Sequence, residues 1–151
     1  MHKDFESFCR RFNATAAGKE DAETAVAAGI PLVQELLSSD LWWRDFIREA
    51  LVERNWFKQQ PPTLWPNEIT LYRSPDQSFL ILAYIWEPYS IDTIHDHGSW
   101  GIVGSYINDI REVKYRRLDD GTLAGHAELE ATEEKVLKPG EITTVFPLDG
   151  G

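Results

Sequence analysis

Apolar residues recur at helical spacing along the first third of the chain and at a spacing nearer two along the rest. From Asp4 to Asn13 the residues Phe5, Phe8, Cys9 and Phe12 fall at i, i+3, i+4 and i+7, one stripe of an amphipathic helix that lies on a larger body. Ala16-Ala17-Gly18 interrupts it, and Lys19 to Ala28 resumes a polar, alanine-rich helical pattern ending at Gly29. Pro31 opens another short helix, since proline is tolerated in a first turn, and Leu32, Val33, Leu36 and Leu37 follow with helical spacing. Ser39 or Asp40 caps a stronger helix in which Trp43, Phe46, Ile47, Ala50 and Leu51 make a wide apolar stripe, read as the face that docks on a sheet.

Beyond Asn55 the pattern changes. Gln59-Gln60-Pro61-Pro62 reads as a linker that cannot continue a helix, and short strand patterns follow it. They cover Glu68 to Tyr72, Phe79 to Trp86, Asp92 to His97, Gly101 to Tyr106, Ile110 to Arg117, Leu123 to Glu130 and Ile142 to Phe146. Residues that preset or tolerate turns separate them: Ser74-Pro75-Asp76-Gln77, Asn108-Asp109, Asp119-Asp120-Gly121 and Lys138-Pro139-Gly140-Glu141. Regularly spaced short strands without intervening helices predict an antiparallel barrel or sandwich. Phe79 to Trp86 is apolar on both faces, so barrel contents should cover one side and the N-terminal helices the other. The expected organisation is a single domain, 1–151, with a helical segment, 1–58, packed on a β unit, 63–151.

At 151 residues the chain can bury a real core. Its 15 Lys and Arg against 25 Asp and Glu leave a formal charge of −10, which repels phosphate backbones and anionic lipid, so neither nucleic acid nor a membrane surface is an expected partner. The single cysteine, Cys9, excludes an internal disulfide and any cysteine-built metal cluster, and its plain role is buried packing. The N-terminus lacks a charged-then-apolar signal pattern, and no apolar run approaches the length of a membrane span. The expected location is the cytoplasm.

Candidate chemistry concentrates in Ile94-His95-Asp96-His97-Gly98-Ser99-Trp100-Gly101. In a strand His95 and His97 share one face while Asp96 points the other way, and two neutral imidazoles so placed can bind one ion such as Fe, Zn, Cu or Ni if a third ligand arrives from elsewhere. The plainer alternative is two histidines satisfied in a core or on a surface. Two of the chain's four histidines stand in this one tripeptide, after an apolar run and before glycine-punctuated sequence, which favours the metal.

The combination HDHGSWGIVGSY, a following strand ending in Arg116 and Arg117, and KPGEITTVFPLDGG resembles the cupin superfamily and, more narrowly, its cysteine dioxygenase branch. That resemblance, over nearly the whole chain, implies a mainly β fold: a double-stranded β-helix (cupin, jelly-roll) barrel with an N-terminal helical segment. It implies one non-haem Fe(II) on three histidines, two of them His95 and His97, with Zn or Ni as alternatives. The implied substrates are a small thiol such as cysteine and O2, which meet at the iron and leave as a sulfinate. Arg73, with Tyr72 beside it, stands about where the cysteine-specific enzymes hold the substrate carboxylate on a guanidinium fork; a surface arginine at a strand end remains the other reading. Trp100 would pack beside the site.

The chain departs from the family pattern in three places. Gly101 and Ile102 stand where many cupins have a glutamate, so no carboxylate ligand comes from this motif. Ile102 also forbids the cysteine–tyrosine cross-link of some members. The family's third histidine lies just beyond the FPLDGG-like turn, where this sequence stops, so the barrel is expected to be incomplete at its C-terminus. His126, past an Asp-Gly hairpin end, is the remaining central histidine and reads as solvent-facing, and His2 is terminal. Two other classes stay open: a non-catalytic cupin that binds a metal or small ligand, and an interaction protein in which the histidines are structural.

Overall fold

A computed structural model describes residues 2–52 and 67–147. Three helices, α1 (Lys3–Thr15), α2 (Ala22–Leu37) and α3 (Leu41–Val52), precede six strands, β1 (Glu68–Arg73), β2 (Leu80–Tyr84), β3 (Gly101–Gly104), β4 (Ile110–Arg117), β5 (Leu129–Leu137) and β6 (Ile142–Val145). The described residues thus combine three helices with small antiparallel sheets, a mixed α/β composition with which the expected β-rich fold is compatible. The Gln59-Gln60-Pro61-Pro62 linker lies outside the described residues.

The stripe of α1 buries as its spacing requires: Phe5, Phe8, Cys9 and Phe12 are all buried, and they form the core with Ala16, Leu32 and Trp42. Rings stack through this layer, Phe5 on Trp42 at 5.2 Å, Phe8 against Phe12 at 5.4 Å and Phe12 against Phe79 at 5.0 Å. The break expected at Gly29 does not occur. Helix α2 runs unbroken through Gly29-Ile30-Pro31, capped by the Asp21 carboxylate, which accepts the Thr24 N–H at 2.7 Å. A proline inside a helix costs about 3 kcal/mol. Burial of Ala25, Val26, Gly29 and Leu32 along one face of the same helix offsets it, so packing overrides the local signal. The chain then turns tightly into α3. The Trp42 indole N–H donates to the Leu36 carbonyl and the Tyr106 hydroxyl to the Ser39 carbonyl, satisfying both polar handles of a ring cluster with Trp43.

The strands form three two-stranded antiparallel sheets, β1–β2, β3–β6 and β4–β5, and among the described residues no closed barrel joins them. The order is nested, because β3 pairs with β6 across the β4–β5 hairpin enclosed between them. A register shift between Thr70 and Tyr72 marks a bulge in β1, and consecutive Leu71 and Tyr72 both pack towards the helical core. The helices cover one side of the first sheet, where Phe79 and Ile81 meet the core. The other side differs from expectation: Leu80, Tyr84 and Trp86 are each at least 40% exposed.

Two further strand expectations are corrected. Asp92 to His97 is not a strand. Leu123 to Glu130 is mostly a looped connection, and the strand proper begins at Leu129. The cause is side-chain competition for backbone donors: the Asp119 carboxylate takes the N–H groups of Gly121 and Glu128 and the Arg117 guanidinium, while Gly121 and Gly125 adopt positive φ. Strand β5 is exposed along nearly its whole length and owes its register to charges facing β4. Glu112 stands opposite Lys135, Lys114 opposite Glu133 and Arg116 opposite Glu130, with Arg111 and Glu134 bonded diagonally at 2.7 Å. Each exposed pair contributes only about 0–1 kcal/mol, but their common direction selects one alignment.

Candidate metal centre

The histidines sit in the connection between β2 and β3, anchored at both ends. Ile85 donates its N–H to the Asn67 carbonyl at 3.0 Å as the chain leaves β2, and the Trp100 ring stacks on Phe12 at 6.5 Å as it enters β3. Trp100 thus ties the histidine segment to the helical core. Between the anchors Tyr89 and Gly98 turn the backbone at φ 66° and 63°.

Although this segment is not a strand, it brings the two imidazoles together, with ring centroids 4.9 Å apart and planes inclined at 57°. His95 Nδ1 lies 2.7 Å from the Thr93 carbonyl oxygen. A carbonyl can only accept, so Nδ1 carries a proton, and in the neutral ring the lone pair lies on Nε2. The Asp92 carboxylate backs the same nitrogen at 3.8 Å, while its other oxygen accepts the Thr93 N–H at 2.8 Å. Burial and the neighbouring His95 hold the His97 ring below its ordinary pKa, opposed by the carboxylates of Asp96, Asp92 and Glu112. The shift favours the uncharged ring, the form a metal requires.

The Thr93 carbonyl and Asp92 were not singled out from sequence, although an aspartate three residues before a His-x-His was a usable signal. Among the described residues no group of three His, Cys, Asp or Glu side chains is arranged to hold a metal. His126 stands on the β4–β5 connection, exposed, with its carbonyl accepting from Arg117 at 2.9 Å, as a solvent-facing residue should. His2 caps α1, its Nδ1 accepting the Asp4 N–H at 3.2 Å.

Tyr72 is turned into the helical layer, 5.5 Å from the Phe79 ring, and lines an open pocket with Glu6, Cys9 and Arg10. Arg73 is exposed at the end of β1, opposite Leu80. Among the described residues no hydrogen bond, ion pair or ring contact joins either residue to the histidine pair. No helix there is long and apolar enough to cross a membrane. The sequence matches no protein-family model.

Proposed function

We propose that the chain is a cupin-type thiol dioxygenase, in which His95 and His97 hold one Fe(II) and a small thiol such as cysteine is oxidised to its sulfinate by O2 in the cytoplasm. The observation that carries this reading is the orientation of His95. Its Nδ1–H is committed to the Thr93 carbonyl at 2.7 Å with a carboxylate behind it, and metal-ligating histidines are held in this way by an outer partner that fixes the tautomer and aims the other nitrogen. The paired ring of His97, 4.9 Å away, supplies a second imidazole suited to the same ion. The nested pairing of β3–β6 around β4–β5 is compatible with the winding of a double-stranded β-helix.

Iron held by His95 and His97 would supply the redox chemistry by which thiol and oxygen react. Overall RSH and O2 give RSO2H, which ionises to a sulfinate and a proton: both oxygen atoms end on sulfur, sulfur is oxidised by O2, and no other reductant is consumed. Trp100 and the β2 exit fix the loop, so that the two rings are positioned before ligand arrives. In this reading Arg73 and Tyr72 are the candidate holders of a substrate carboxylate. Arg73→Ala then raises KM for cysteine strongly and barely changes it for a thiol without a carboxylate, and equal effects on both remove Arg73 from the site.

Because only two donors stand together among the described residues, a second reading is a cupin that binds Zn, Ni or a small ligand without redox chemistry. The test is direct. Purified chain given Fe(II) under anaerobic conditions should retain close to one metal per chain, and replacing both His95 and His97 by alanine should abolish it. Equal metal content in the double variant would overturn the metal centre. Retained metal without thiol-dependent oxygen uptake would favour the non-redox binder.

A further inference from the structure

We infer that the pocket between α1 and β1 is a second ligand site, which takes a small zwitterion with its carboxylate on Arg10 and its ammonium on Glu6. The pocket measures about 330 Å3 and is lined by Glu6, Cys9, Arg10 and Tyr72. That volume suits a small molecule. Two elements converge on it. Helix α1 brings Glu6 and Arg10 to it from positions four residues apart, with Cys9 between them in sequence. Strand β1 carries the register shift between Thr70 and Tyr72 that turns Tyr72 towards the helical layer, and bulges re-aim side chains in this way beside functional sites. The Tyr72 ring, fixed against Phe79 at 5.5 Å, gives the pocket an apolar wall.

The charges around the pocket are arranged for a guest. A glutamate four residues before an arginine is the order that favours an ion pair along a helix. Asp40 and Arg44, with the same spacing and order, close to 2.6 Å, and Arg11, next to Arg10, reaches Glu35 at 2.7 Å. Glu6 and Arg10 form no such pair among the described residues, and both border the pocket instead. The Glu6 charge reaches the Cys9 thiol in the same wall, and that thiol, held protonated by burial, adds no charge of its own. Opposite charges one helical turn apart beside an apolar ring complement a ligand that has an ammonium and a carboxylate at the two ends of a short methylene chain. Cβ atoms at this spacing stand about 6 Å apart, which three methylenes between the charged groups match. Engaging both exposed charges rather than one should tighten binding about fivefold. The ligand needs neither thiol nor metal, so this site stands or falls independently of the histidine pair.

The test titrates the whole, metal-free chain with 4-aminobutyrate, butyrate and n-butylammonium, none of which carries a thiol. The Arg10 side-chain N–H and Tyr72 ring resonances should shift saturably, with half-saturation by the zwitterion at about fivefold lower concentration than by either single-charge analogue. The ring resonances of His95 and His97 should stay in place. In Glu6→Gln the zwitterion should titrate as weakly as butyrate, and in Arg10→Gln as weakly as n-butylammonium. Both positions are exposed, and circular dichroism checks that the variants fold. Equal titration by the three ligands, shifts that do not saturate, or a preference unchanged in both variants would overturn the inference, as would histidine shifts that follow the same binding curve. The comparison of ligands on the unaltered chain decides the matter even if a variant fails to fold.

Discussion

At the scale of single residues, the environment of a side chain decides whether a reactive type reacts. Cys9 carries the chain's only thiol, but burial pushes its pKa up to about 12 from an ordinary 9.0, with the charge of Glu6 adding to the shift and a backbone hydrogen bond opposing it. A thiol held protonated is a poor nucleophile, so Cys9 is a packing residue of α1. A disulfide reagent at pH 8 should modify it slowly in the native protein and quickly in urea; fast native modification would mean that α1 does not seat as described. The sign of the pH effect follows from linkage. The folded state retains the proton more tightly, so this stabilisation is full below pH 9.0 and is lost as pH rises towards about 12. Unfolding free energy should fall more steeply across that range in the native sequence than in Cys9→Ala. His95, by contrast, is exposed, and its Nδ1 is bonded to the Thr93 carbonyl.

At the scale of elements, close approach outweighs propensity. Gly29 lies mid-helix in α2, where alanine would ordinarily gain about 1 kcal/mol. A Cβ at this position would stand 2.7 Å from Ile102 Cδ1 and 2.8 Å from Phe12 Cε2. The end of Ile102 can yield, but the Phe12 ring is packed against Phe8, Phe79 and Trp100. Overpacking of this kind costs about 1–3 kcal/mol, so Gly29→Ala should lower the urea midpoint. A raised midpoint would show that the α2–β3 contact has slack. Because Trp100 leads from this contact into the histidine segment, the same substitution should also weaken metal retention.

At the scale of the whole molecule, the β3–β6 and β4–β5 sheets are joined by polar links. The Thr143 hydroxyl, on a residue only 3% exposed, donates to Glu112 at 2.9 Å, and Lys114 donates to the Thr144 carbonyl at 3.1 Å. Removing one member of a buried pair strands the other, at about 1–3 kcal/mol. Glu112→Leu should therefore destabilise, and adding Thr143→Val should recover much of the loss, a coupling that denaturant unfolding of the double-mutant cycle measures directly. Additive losses would mean that the hydroxyl finds another partner.

The sequence by itself determined what local spacing controls. It placed α1 and its buried stripe, the bounds of β4, the starts of β1, β3 and β6, and the His95–His97 pair, because periodicity, turn residues and the adjacency of two ligand types are written along the chain. Tertiary structure decided the rest. It carried α2 through Pro31, since a buried helix face outweighs one lost hydrogen bond. It made β5 from a polar stretch with no hydrophobic pattern, since its register comes from charges on another strand. It left the histidines on an anchored loop and turned Tyr72 into the helical layer, since a bulge reverses a side chain's face without any mark in composition. The orientation of His95 depends on the fold of the loop around Thr93, because the direction of a carbonyl is a property of backbone conformation, to which residue identity gives no direct access.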